Sequence, residues 1–135
     1  MLKKIDHIGV AVQNIEKSIP LFRDLLGIPL EKVYESEAIK TKIAFFPLGE
    51  STIELIEAMD PSSPVAKFIQ KRGEGIHHIC FGVENVEAAL RHFEAQGIEL
   101  LNNQPRRTEN GDLIAFLNPK STNGVLIELV EIEAE

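Results

Sequence analysis

The chain has 135 residues, 44% hydrophobic and 26% charged, which suits one domain with a buried core. A net charge of −7, with no basic stripe and no long apolar run, argues against a nucleic-acid partner and against a membrane span. One cysteine, Cys80, excludes an internal disulfide; with no apolar signal core in MLKKIDHIGV, this points to the cytoplasm.

IDHIGVAV (5–12) alternates and is rich in β-branched residues, which predicts a strand. Asn14 then caps a helix over IEKSIPLFRDLL (15–26), with Gly27 as its stop and Pro20 bending it from inside. Strands are expected at about 30–36, 41–47 and 51–58. DPSSPVAKFIQKRGEG reads as a linker with a short helix over 64–71, set between proline and glycine punctuation. A strand over 77–83, a helix over 85–96 stopped by Gly97, and strands near 98–102, 113–117 and 125–132 complete the chain.

The second series of elements repeats the first, and so do the residues. IDHIGVAVQNIEKSIPLF lies over IHHICFGVENVEAALRHF with a shift of 71, matching His7 to His78, Asn14 to Asn85 and Phe22 to Phe93. Further on, Ile53-Glu54-Leu55 matches Ile127-Glu128-Leu129 with a shift of 74. The expectation is a single α+β domain, internally duplicated as two tandem βαβββ modules: module 1 at about 3–60, a linker at 61–74, module 2 at 75–132.

Alternate residues of a strand share a face. Ile8, Val10 and Val12 form one apolar face, leaving His7 with Gly9 and Ala11; Ile79, Phe81 and Val83 leave His78 with Cys80 and Gly82. Two small residues beyond each histidine leave room for something other than side chain. The same parity separates the adjacent pair: His78 matches His7, whereas His77 matches Asp6 and is read as structural, and His92 in mid-helix as a surface or packing residue. Glu54 and Glu128 each sit in apolar company, where a lone carboxylate is costly and a cation offsets that cost. Two imidazoles (His7, His78) and two carboxylates (Glu54, Glu128), one from each of four strands, make an N₂O₂ set for one divalent ion. Cobalt, manganese, nickel, iron and zinc all suit such a set.

These stretches carry a family resemblance. The paired modules with matching His and Glu resemble the vicinal oxygen chelate (glyoxalase-like) superfamily. More narrowly, IDHIGVAV, GESTIELIEA, SPVAKFIQKRGEGIHHICF and NPKSTNGVLIELVE resemble the methylmalonyl-CoA epimerases along nearly the whole chain. The resemblance implies curled mixed sheets that enclose a metal site, with the same four ligands, and favours cobalt as the ion. It implies a homodimer acting on a small-molecule acyl-CoA, with interconversion of the (2R) and (2S) forms of methylmalonyl-CoA. In that reaction a C2 proton leaves, a metal-stabilised enolate forms, and a proton returns on the opposite face.

Two acid/base groups serve such a reaction. The resemblance implies Glu128 for one face and a glutamate of VYESEAIKTK for the other: Glu37, which lies 17 residues before Glu54, with Glu35 as the fallback. The CoA phosphates call for cations; Lys67, Lys71, Arg72, Arg106, Arg107 and Lys120 are available, and spacing ranks none of them. Three rival readings share the fold. A glyoxalase-type lactoylglutathione lyase could use the same ligands, a ring-cleaving dioxygenase would want iron and a single carboxylate, and a non-catalytic small-molecule binding protein would need no metal.

Overall fold

The computed structural model describes residues 1–133. The chain divides into two compact units: His7–His77, and Met1–Asp6 together with the chain from His78 onward. The boundaries fall inside two strands, β1 (Lys4–Ala11) and β5 (Gly75–Val83).

In the unit from His7 to His77, the strand order is β2 (Lys32–Ser36), β3 (Thr41–Leu48), β4 (Ser51–Ala58), β1. β2–β3 and β3–β4 are antiparallel and β4–β1 is parallel. The helix expected over 15–26 forms in two parts, α1 (Ile15–Ile19) and a π-helical continuation over Pro20–Leu25. Proline has no N–H to donate and its ring crowds the carbonyl four residues back, so the ladder widens, as the Leu26 N–H bond to the Leu21 carbonyl shows. Asn14 caps α1 by accepting the Lys17 N–H at 2.9 Å, and Gly27 at φ +76° lets the chain turn away. Val12, Ile15, Ile19, Ala44, Phe46 and Leu55 form the core beneath α1. On the other sheet face, α2 (Pro64–Arg72) packs Val65, Phe68 and Ile69 against Ala11, Ile43 and Ile56. Ser63 starts α2, with Pro64 at its first position, where a missing N–H costs nothing.

In the other unit the order is β5, β8 (Ile127–Glu131), β7 (Leu113–Leu117), β6 (Arg106–Arg107). β5–β8 is parallel and the other pairs antiparallel, which repeats the first pattern. α3 (Val86–Ala95), capped by Asn85, covers a core of Val83, Val86, Leu90, Ala115, Leu117 and Leu129. Here the expected strand over 98–102 is corrected. Only a single bridge joins Leu100 to Leu117, and the paired stretch is β6, several residues later. The cause is local: the Asn102 side chain accepts the Phe116 N–H at 2.7 Å, taking the place of a backbone carbonyl, and Pro105 follows.

Two strand glutamates hold the helix starts. Glu57 Oε1 accepts the Ile15 N–H at 2.7 Å, and Glu131 Oε1 accepts the Val86 N–H at 3.0 Å, each at the first position of a helix.

Candidate metal centre

Each unit brings one histidine to one glutamate by the same construction. In the first, parallel pairing sets Gly9 beside Glu54, so His7, two residues earlier on the same face, reaches the carboxylate. His7 Nδ1 lies 3.3 Å from Glu54 Oε2, with the two side chains 12% and 14% exposed. In the second, Cys80 pairs with Glu128, and His78, again two residues earlier, places Nε2 3.3 Å from Glu128 Oε1, at 11% and 10% exposure. An aromatic ring stands opposite each carboxylate on the next strand: Phe45 opposite Glu54 and Phe116 opposite Glu128.

The separations test the fit to an ion. Ligand atoms about 2.1 Å from one cation stand ~3.0 Å apart on an octahedral edge and ~3.4 Å apart on a tetrahedral one. Within each pair, 3.3 Å matches two donors on one cation. Imidazole nitrogen with carboxylate oxygen is also the donor chemistry of a borderline divalent metal. The residues fit.

The remaining expected positions fall elsewhere. Glu35 pairs in register with Lys42, on the α1 side of the sheet and opposite the Glu54 face. Glu37 lies in the turn after β2, its side chain 71% exposed and 2.8 Å from Lys40 Nζ. It stands about five strand positions from the Glu54 row, roughly 17 Å, beyond a glutamate's reach unless the turn moves. His77 packs edge-on against Phe68, with centroids 5.0 Å apart, as a structural neighbour does. His92 is exposed on α3, against Phe93. Cys80 is wholly buried with Ile114 and Val130, and a side chain at Gly82 would meet Ile132 at 3.0 Å. The room expected beyond His78 is therefore filled by protein. Lys67, Lys71, Arg72, Arg106, Arg107 and Lys120 are all exposed; Arg72 lies over the Phe68 ring, and Arg107 donates to the Gly111 carbonyl.

Residues 6–116 match the glyoxalase/bleomycin resistance protein/dioxygenase superfamily, and the chain belongs to it. Mouse mitochondrial methylmalonyl-CoA epimerase is 33% identical over 129 residues, covering 95% of this chain and 72% of the mouse protein. Methylmalonyl-CoA epimerase of Streptomyces coelicolor, solved as a variant in complex with 2-nitronate-propionyl-CoA, superposes with a TM-score of 0.90. It is 33% identical, with full coverage of both chains. A hypothetical protein of Bacillus halodurans, BH1468, has a TM-score of 0.92 at 42% identity, covering 98% of this chain and 96% of its own. Within the superfamily the chain belongs with the methylmalonyl-CoA epimerases.

Proposed function

We propose that the protein is an isomerase that interconverts (2R)- and (2S)-methylmalonyl-CoA, with one divalent ion held by His7, Glu54, His78 and Glu128. The observation that carries this reading is the repeated histidine–glutamate pair, 3.3 Å apart in each unit and shielded from solvent in both. The proposed set has two carboxylates, one more than a ring-cleaving dioxygenase would want.

A divalent ion bound there supplies fixed positive charge where a thioester oxygen gains negative charge as the C2 proton leaves. The chain's own residues do the rest. His7 stands beside Glu54 and His78 beside Glu128 as neighbouring donors, and the rings of Phe45 and Phe116 lie opposite those carboxylates across the strands. Glu128 is the proposed acid/base group for one face of C2. Glu37, which the family resemblance implies for the other face, serves only if the 37–40 turn swings toward the Glu54 row. The ion is proposed to be cobalt and the assembly a homodimer, both from the family resemblance, and the setting cytoplasmic, from the single cysteine. No helix among the described residues is long and apolar enough to cross a membrane.

The test is deuterium entry. Purified, metal-loaded protein in D₂O should exchange the C2 proton of methylmalonyl-CoA, and chelator should stop it. Turnover of a glutathione hemithioacetal without C2 exchange would sink the epimerase reading in favour of the lyase.

A further inference from the structure

Lys32 opens β2, and its place is fixed by two registers. Lys32 pairs with Phe45, and Phe45 pairs with Glu54, so the three side chains stand in one row on one sheet face. With strands about 4.8 Å apart, Lys32 begins roughly 10 Å from Glu54. Its Nζ lies over the Phe45 ring, 5.0 Å from the centroid, which keeps the ammonium in this row. Tyr34, two residues on, shares the face through its pairing with Ile43.

The charge of Lys32 is unspent. Lys42 is bound to Glu16 at 2.7 Å and Lys40 to Glu37 at 2.8 Å, whereas Lys32 has no carboxylate partner among the described residues. What sets Lys32 apart from the other lysines without an ion pair is its place over Phe45 in the Glu54 row. Charge counting supplies the reason. On the proposed ligand set, two carboxylates neutralise a divalent ion, leaving no net charge for a substrate that brings its own anionic oxygens. An ammonium over an aromatic face keeps N–H donors free on its far side for such an oxygen.

Resting on the epimerase reading, we infer that Lys32, held over Phe45, pairs with an oxyanion of the acyl-CoA substrate. Two sources share that chemistry: the free carboxylate of the acyl group and a phosphate of CoA.

The test compares methylmalonyl-CoA with propionyl-CoA, which keeps the phosphates and lacks the carboxylate. Equilibrium binding to metal-loaded protein is measured by calorimetry. Lys32→Ala is expected to weaken methylmalonyl-CoA about tenfold, the loss of one charge-assisted hydrogen bond. Lys32→Arg should restore most of it, and in Lys32→Ala KM should rise while kcat holds. If propionyl-CoA is untouched, the carboxylate is the partner; if both thioesters weaken alike, a phosphate is. Unchanged binding of both to a folded Lys32→Ala protein overturns the inference while leaving the epimerase reading intact. A wild-type protein that binds neither thioester overturns both.

Discussion

The Ile15 N–H donates to Glu57 Oε1 at 2.7 Å, so a side chain from β4 closes the start of α1 across 42 residues of sequence. Val86 and Glu131 repeat the contact between α3 and β8. Asn14 and Asn85 serve a different donor two residues further into each helix, so each start has two of its orphan N–H groups satisfied. Glu57→Ala should therefore lower stability by about 0.5–2 kcal/mol, the range for a lost cap, while metal content stays unchanged. Urea denaturation with parallel metal analysis checks both halves of that statement.

His78→Ala removes one donor and leaves Glu128, a nearly buried carboxylate, without its neighbour. We expect bound metal to fall from one ion per chain to a small fraction, and C2 exchange to fall with it. His7→Ala should do the same through Glu54. Full metal occupancy in either variant would rule out the proposed ligand set.

Glu37→Gln addresses the second acid/base group. Given the exposed turn and its distance from Glu54, exchange should stay within a few-fold of wild type. A loss of two orders of magnitude or more, a size typical of a removed acid/base group, would show that the turn closes during turnover. Glu35→Gln is the control, since Glu35 faces α1.

Lys42 carries a pH signature. Its bond to Glu16 raises its pKa above the ordinary 10.5, against the opposing effect of burial. A raised lysine contributes stability in full below the ordinary value, and that contribution disappears as pH rises through the folded-state value. Lys42→Met should cost ~0.2–1 kcal/mol at neutral pH, and the gap to wild type should close as pH rises through the raised lysine pKa. A gap that widens with alkalinity would contradict the pairing.

In the second unit, Leu90 on the inner face of α3 is wholly buried among Val83, Ala115, Leu117 and Leu129. Leu90→Ala should cost about 2–5 kcal/mol, read as a lowered denaturation midpoint.

The two modules were readable because duplication shows each key residue twice. His7 with His78 and Glu54 with Glu128 stood out by matching shifts, and strand parity alone separated His78 from His77. What escaped the sequence depended on partners far along the chain. Glu57 and Glu131 look like edge charges until the helix starts they cap are in place. The strand expected at 98–102 failed because Asn102 imitates a carbonyl, a substitution that hydrophobic pattern does not register. Pro20 announced a bend, but the π-helical form of that bend followed from how the freed carbonyls found new donors. Lys32 has the right parity for its row, yet only the pairing of β2 with β3 shows that Phe45 lies beside it.

Each unit carries its own cap pairs, its own packed helix and only two of the four proposed donors. Damage to a helix start or a core leucine is thus confined to one half in its origin, but an ion held by the proposed set would depend on both. Metal retention during gradual denaturation would then act as a logical AND over the two halves, failing with whichever gives way first. Optical signals from a single helix would follow only one of them.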